Sequence, residues 1–137
     1  MDWFKKNYPL LIVLIITFLL RFVNLGYSDF QGDEIKALYL LAPGQKITRF
    51  ILDQRKGPMQ WIVTGAVKLI DPAYSHRFVD RFPFALAGLL AVFFFYKLVE
   101  ENFSKRIAFY SSLFFATNGF FVAFSRIIQY QSLVILF

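Results

Sequence analysis

The sequence predicts an all-α polytopic membrane protein, and three observations lead to that fold class: the composition, the long apolar runs and the placement of the basic residues. Hydrophobic residues make up 58% and aromatic residues 20% of the 137 residues, with 19 Phe. Ordinary globular domains contain about 45–50% apolar residues, so a soluble fold of this length lacks the interior to bury so much Phe and Leu. A lipid bilayer is the solvent that suits such a chain.

The charge pattern agrees with a membrane protein. The formal net charge is +6, but the Lys and Arg residues are scattered between apolar runs and form no basic face on a soluble module. This distribution favours contact with anionic lipid head groups over binding of nucleic acid. The chain contains no Cys, so it offers neither a disulfide framework nor a thiolate metal site.

Long apolar runs give the predicted spans. A spanning helix needs about 20 predominantly apolar residues. We expect spans at about 9–26, 82–99 and 107–124, and a fourth that begins at 132 and is cut off at 137. The first run lacks a small-residue cleavage site, so we interpret it as a retained helix and not as a signal peptide.

The segment Pro58–Ile70 determines the predicted topology. It is short for a span, and its polar residues Gln60, Thr64 and Lys68 recur at every fourth position opposite an apolar face. This pattern is typical of an amphipathic helix in the plane of the membrane interface, and a weaker apolar face around 47–51 predicts a second one before it. Residues 27–81 then form one outer loop. If Pro58–Ile70 spanned instead, Arg126 would lie on the cytoplasmic side.

Basic residues near the predicted spans set the orientation. Lys5 and Lys6 place the N-terminus in the cytoplasm, and Lys97, Lys105 and Arg106 place the turn between the second and third spans there as well. The loop 27–81 and the junction around Arg126 are therefore expected outside. The expected membrane is the plasma (inner) membrane of a bacterium or archaeon, with the endoplasmic reticulum as the alternative.

The outer loop carries an acidic pair just beyond the first span, Asp33-Glu34. A helix is predicted to start at Asp33 and to run to the stop at Pro43-Gly44. In the structural interpretation Asp33 is the N-cap and Glu34 complements the helix dipole. In the functional interpretation a carboxylate takes a proton from an acceptor hydroxyl, while cations receive the charge of a departing lipid phosphate.

Five short motifs follow one another in an order that resembles a known group of enzymes. The motifs are Leu20-Arg21-Phe22-Val23-Asn24-Leu25-Gly26, Gly32-Asp33-Glu34, Lys56-Gly57-Pro58, Arg81-Phe82-Pro83 and Ser125-Arg126 followed by Gln131. Together they resemble the protein O-mannosyltransferases and lipid A aminoarabinose transferases, which are polyprenyl-phosphate-sugar glycosyltransferases of the GT-C type. The resemblance covers essentially the whole chain and implies the N-terminal part of a GT-C transmembrane domain.

The resemblance also implies roles for individual residues. Asp33 is implied to be the general base or the group that orients the acceptor, with Glu34 beside it. Lys56 is implied to meet the lipid phosphate. Arg81 and Arg126 are implied to hold that phosphate or to pair with the carboxylates.

Each cation also has a structural interpretation. Lys56 can be a head-group contact, Arg81 an interfacial anchor, and Arg126 and Arg21 snorkelling residues at the ends of spans. Two departures from the family pattern stand out. Gly57 replaces the first Pro of Lys-Pro-Pro, and Gln131 stands where the family has an acidic residue. A neutral Gln can contact sugar hydroxyls but cannot act as a base.

The resemblance implies an inverting membrane glycosyltransferase that moves a sugar from a polyprenyl-phosphate carrier to a protein, lipid or cell-envelope glycan at the outer face. The piece is expected to be inactive without the rest of the cavity. No cofactor is expected, and no metal either, since His76 has only Asp71 and Asp80 near it in sequence. The alternative is a small non-enzymatic helical membrane protein, such as a transporter fragment or an assembly subunit.

Overall fold

The computed structural model describes residues 2–53 and 58–137, with side chains from Asn7 onward. Within these ranges every regular element is an α-helix, which confirms the all-α fold class. In chain order the helices are α1 (Asp2–Phe22), α2 (Gly32–Ile35), α3 (Ile47–Leu52), α4 (Met59–Lys68), α5 (Arg77–Asn102), α6 (Lys105–Thr117), α7 (Gly119–Ser125) and α8 (Gln131–Leu136).

Helix α5 is the centre of the bundle, and α1, α4, α6, α7 and α8 all pack against it. It has 26 residues and is apolar enough to cross a membrane. Helices α6 and α7 meet the same criterion when taken as one bent unit, whereas the apolar part of α1, Asn7–Phe22, is shorter. These features fit a membrane-type helical fold. The number of crossings and their orientation stay predictions.

The third apolar run is not one straight helix. It divides at Asn118 into α6 and α7, whose axes differ by 62°. The Asn118 side chain accepts hydrogen bonds from the backbone amides of Phe120 and Phe121 at 3.1 and 3.4 Å. An Asn that caps the following helix in this way ends the preceding one, because the capped amides no longer bond to the preceding turn.

The first outer-loop helix is much shorter than the sequence suggested. The expected helix from Asp33 to Pro43-Gly44 is wrong, because α2 ends at Ile35 and continues only as turns. The carbonyl of Ala37 accepts from the Thr64 hydroxyl at 3.3 Å. Thr64 of α4 thus bonds to a carbonyl that a longer α2 would have used for its own backbone hydrogen bond. Ala37 and its neighbour Leu38 are drawn into the core instead.

Helix α4 lies where an amphipathic helix was predicted, and its polar stripe turns inward. Gln60 and Thr64 are fully buried against the bundle. The outward side carries apolar residues at helical spacing: Met59, Ile62, Ala66, Leu69 and Ile70. An outward apolar stripe is what a helix in contact with acyl chains presents. On the inward side, the Thr64 hydroxyl donates to the Ala37 carbonyl, whereas the side-chain amide of Gln60 has no hydrogen-bond partner among the described residues.

The connection from α4 to α5 is a tight turn organised by Asp71. Its carboxylate accepts from the backbone amide of His76 at 2.6 Å, and from the Ser75 hydroxyl at 3.2 Å. Burial raises the pKa of Asp71, but these hydrogen bonds, led by that from the His76 amide, outweigh it and lower the pKa to about 2. The turn therefore holds an ionised carboxylate at neutral pH.

The interpretation of Arg21 as a snorkelling residue is wrong. Its side chain is fully buried between α1, α5 and α6. One guanidinium N–H donates to the carbonyl of Ala116 at 3.1 Å. This carbonyl belongs to the last turn of α6, whose usual helical donor, the Phe120 amide, bonds to Asn118 instead. Arg21 thus satisfies a backbone acceptor that the break between α6 and α7 has freed.

Candidate functional site

The two carboxylates of the acidic pair lie in opposite environments, although they are adjacent in sequence. Glu34 is 1% exposed and forms a two-point ion pair with Arg81, with distances of 2.8 Å from Nε to Oε1 and 2.8 Å from Nη2 to Oε2. The Glu34 carboxylate also accepts from the backbone amides of Gln31 and Ile128, each at 3.0 Å. One side chain therefore connects α2, α5 and the link before α8.

Arg81 likewise makes all its hydrogen bonds to groups of the protein. Besides Glu34, its guanidinium donates to the carbonyls of Leu25 and Ser28, each at 3.1 Å, and of Asp29 at 3.2 Å. An Arg side chain has five N–H donors, and these contacts use all five. The geometry provides hydrogen-bond partners for both members of the buried pair, which offset the cost of removing them from water. The proposed role of Arg81 as an interfacial anchor does not fit a residue that is 2% exposed.

A cavity of about 340 Å³ opens beside this pair. Its walls come from the loop after α1, from α2 and α5, and from α7 and the segment that follows it. The lining residues are Tyr27, Ser28, Gln31, Glu34, Arg81, Gly119, Val122, Ala123, Arg126 and Ile127. Three of the residues singled out from the sequence, Glu34, Arg81 and Arg126, thus share one site.

Arg126 is the cation of this cavity that keeps unused donors. Its guanidinium donates to the carbonyl of Leu20 at 2.7 Å and to that of Asn24 at 3.1 Å. Three of its five N–H groups have no acceptor among the residues that the structure describes. The two bonded carbonyls lie at the C-terminal end of α1, where the helix dipole favours a cation. Arg126 is therefore fixed in place and still able to bind an anion.

Asp33 faces outward beside the cavity and does not line it. Its side chain is 73% exposed, and it has an ion pair at 3.9 Å with Lys36, which is itself exposed. The structural interpretation of Asp33 as the N-cap of α2 is wrong, because Gln31 occupies that position and Glu34 bonds to its amide. Asp33 is an accessible carboxylate whose ion pair with Lys36, the one found among the described residues, is of the exposed kind that contributes little to stability.

The remaining candidates lie away from the cavity or outside the described residues. Gln131 begins α8 as a half-buried residue, and its buried side-chain oxygen has no hydrogen-bond partner among the described residues. Lys56 lies outside the residues that the structure describes. His76 bonds to Asp71, and within the described ranges no three side chains of His, Asp or Glu converge as a metal site would require.

Sequence reasoning missed several residues of the site. Tyr27, Ser28 and Gln31 line the cavity but form no recognisable motif. Asn118 belongs to none of the sequence motifs, although it decides where α7 points. One signal was available: a single Asn followed by Gly in the middle of a long apolar run is a combination that favours a helix end over a helix interior.

The comparison with protein families decides among the remaining classes. Residues 55–137 match the family described as dolichyl-phosphate-mannose-protein mannosyltransferase, and this stretch is more than half of the chain. The chain belongs to that mannosyltransferase family. No curated protein and no solved structure matches the chain.

Membership in the mannosyltransferase family supports a glycosyltransferase of the GT-C type over the non-enzymatic alternative. The matched stretch contains Arg81, Arg126 and Gln131, whereas Asp33 and Glu34 precede it. The family match therefore says nothing about the acidic pair, and the roles of these two residues depend on their geometry alone.

Proposed function

We propose that the chain contributes the acceptor-side carboxylate and the phosphate-binding cation of a membrane glycosyltransferase. The enzyme moves a sugar from a polyprenyl-phosphate carrier to a protein, lipid or cell-envelope glycan acceptor at the outer face of the membrane. The proposal rests on the different environments of the two adjacent acidic residues and of the two arginines. Glu34 and Arg81 pair with each other in the interior, whereas Asp33 is exposed, and Arg126 lines the cavity beside that pair with unused donors.

Asp33 is the group that acts on the acceptor. In the transfer, the acceptor hydroxyl gives its proton to the Asp33 carboxylate as its oxygen bonds to the anomeric carbon of the sugar. The bond from that carbon to the phosphate oxygen breaks, and the electron pair leaves with the phosphate. A base on the side opposite the leaving group produces inversion at the anomeric carbon. Exposure of 73% leaves Asp33 accessible to a large acceptor.

Arg126 receives the phosphate. As the sugar departs, negative charge grows on the phosphate oxygens, and a cation already held in place stabilises that charge without reorganisation. Arg81 is less suited to this role because all its donors are bonded to the protein. The family pattern further suggests that Lys56 assists in binding the phosphate and that Gln131 contacts sugar hydroxyls.

The proposed topology places this site at the outer surface. From Arg81 to Lys97, helix α5 rises about 24 Å at 1.5 Å per residue, which is most of the apolar thickness of a bilayer. At the far end, Lys97 and Lys105 flank Glu100 at 2.8 and 3.8 Å, so a net positive cluster marks the α5–α6 turn. This arrangement supports a cytoplasmic turn and an outer loop 27–81.

Two exposed acidic residues make a matched test of the base. Asp33 and Asp53 each sit on a short surface helix with an exposed basic neighbour at 3.9 and 3.7 Å. In the full-length chain, Asp33→Asn should lower kcat for transfer from a polyprenyl-phosphate sugar by about 10²–10⁴-fold, the usual contribution of a general base. Asp53→Asn should leave kcat unchanged, and both variants should unfold like the parent. Retention of kcat within a few-fold in Asp33→Asn would remove Asp33 from the mechanism.

Topology is tested by labelling, since the chain contains no Cys. A single Cys at Ala73, which is exposed between α4 and α5, should react with a membrane-impermeant thiol reagent added outside intact cells. A single Cys at Glu101, exposed at the other end of α5, should react only after the membrane is opened. Protection of the first position would place α4 across the bilayer and separate Arg126 from the outer loop.

A further inference from the structure

Side chains satisfy the backbone groups that are left without helical partners on both sides of the break between α6 and α7. The side-chain oxygen of Asn118 accepts from the backbone amides of Phe120 and Phe121, and the Arg21 guanidinium donates to the backbone carbonyl of Ala116. In an unbroken helix the Phe120 amide would bond to Ala116 itself. Two side chains thus replace backbone partners inside an apolar run, where an unsatisfied amide or carbonyl is costly.

The residue at the break decides whether the helix continues. Asn is among the strongest N-cap residues, whereas an apolar residue there offers no acceptor for the two amides. The surrounding sequence is rich in helix-compatible apolar residues. Without Asn118, the most favourable partners for those amides are the carbonyls of the preceding turn, and these restore a continuous helix.

The direction of α7 controls the position of Arg126. Arg126 follows the break by eight residues, or about 12 Å along a helix axis. Removing a bend of 62° would displace the end of such a segment by about 12 Å. Hydrogen bonds need donor and acceptor within about 3.2 Å, so a continuous helix would carry the guanidinium away from the carbonyls of Leu20 and Asn24.

We propose that Asn118 is a positioning residue for the transfer reaction, and that it acts through Arg126. By ending α6 it turns α7 toward the end of α1, which closes the 340 Å³ cavity and fixes Arg126 in its wall. The inference rests on the proposed function of Arg126 as the phosphate-binding cation. It adds a residue that touches neither the donor nor the acceptor.

The kinetic test uses the full-length chain and a polyprenyl-phosphate mannose donor. Asn118→Leu should raise the KM for this donor at least 10-fold, and Asn118→Ser, which keeps a capping oxygen, should restore KM to within about 3-fold of the parent. Thr117→Val is the matched control, because it removes a hydrogen bond to the Leu113 carbonyl next to the break and leaves the cap intact. In an Arg126→Ala background, Asn118→Leu should change KM less than 2-fold, since both changes remove the same contact.

A distance measurement tests the bend without relying on activity. Spin labels at Cys residues introduced at Val23 and Ala123 report the separation of the α1 end from α7, and both positions are exposed. Straightening moves position 123 by about 8 Å, so Asn118→Leu should lengthen the distance by several ångströms and Asn118→Ser should not. If the leucine variant does not accumulate in the membrane, Asn118→Ala replaces it in this distance measurement.

The outcomes separate the two proposals. An unchanged distance in Asn118→Leu, or a KM effect that multiplies with that of Arg126→Ala, would overturn the positioning role. An unchanged kcat/KM in Arg126→Ala alone would overturn the phosphate role in the proposed function. A raised KM in Arg126→Ala together with a normal KM in Asn118→Leu would leave the proposed function standing and remove only the inference.

Discussion

Removal of the Glu34 carboxylate is the perturbation for which the structure gives the clearest magnitude. The change deletes four hydrogen bonds at once: two from Arg81, one from the Gln31 amide and one from the Ile128 amide. Arg81 would keep its three carbonyl acceptors but lose its counter-charge at 2% exposure. Breaking one side of a buried ion pair costs about 3–5 kcal/mol, so Glu34→Ala should lower the free energy of unfolding by about that amount.

The assay is chemical unfolding of the purified protein in mixed micelles, followed by tryptophan fluorescence. Asp33→Ala is the internal control, since an exposed ion pair contributes about 0–1 kcal/mol and its loss should hardly move the transition. The double variant Glu34→Ala with Arg81→Ala should be less destabilised than the sum of the single variants, by about 1–3 kcal/mol. A cost below about 1 kcal/mol for Glu34→Ala, or strict additivity, would refute the buried, fully bonded pair described here.

Three further predictions concern packing, pH and the α4 contact. Gly88→Ala should destabilise by about 1–3 kcal/mol in thermal unfolding, because a Cβ there would lie 2.5 Å from that of Ser125. On acidification, the protection factors for hydrogen exchange in the α4–α5 turn should decrease as the pH falls from about 4 toward 2. Because the pKa of Asp71 is lowered in the folded state, its ionised carboxylate stabilises the fold fully at pH values above the ordinary pKa of Asp. That stabilisation is lost as the carboxylate protonates. Thr64→Val should cost about 1 kcal/mol in the same unfolding assay, because the Ala37 carbonyl loses its donor.

Each of these predictions has a control that can contradict it. Gly119→Ala places a Cβ where no atom lies within 4 Å, so equal destabilisation by both glycine variants would remove the packing argument. Asp71→Asn should abolish the acid dependence of the protection factors, and persistence of that dependence would assign it to another group. An unfolding midpoint unaltered by Thr64→Val would show that the inward polar stripe of α4 is not bonded as described.

The sequence was sufficient for the parts of the fold that depend on local pattern. Apolar runs predicted the helices that became α1, α5 and the α6–α7 pair, and the polar period of four residues predicted α4. These features follow from burial of apolar surface and need no knowledge of neighbours. The order of the motifs also predicted the family, which the match to residues 55–137 confirms.

Features that depend on tertiary partners could not be predicted in this way. Asp33 and Glu34 are equivalent as residue types, and only the position of Arg81 and the Ile128 amide decides which of them is buried. The inward direction of Gln60 and Thr64 likewise depends on what lies beneath α4. For Arg21, the sequence suggested a water-seeking end residue. A carbonyl freed by a break almost a hundred positions later keeps its side chain inside.

The Glu34 carboxylate has a consequence for how the protein is made. It bonds to partners 47 and 94 positions further along the chain, so neither partner has been synthesised when the acidic loop leaves the ribosome. Glu34 remains a separate, hydrated ion until Arg81 has been made and has folded against it. Full desolvation of the Glu34 carboxylate comes later still, because the Ile128 amide is made after Arg81, and a nascent chain interrupted before Ile128 would leave this carboxylate open to water.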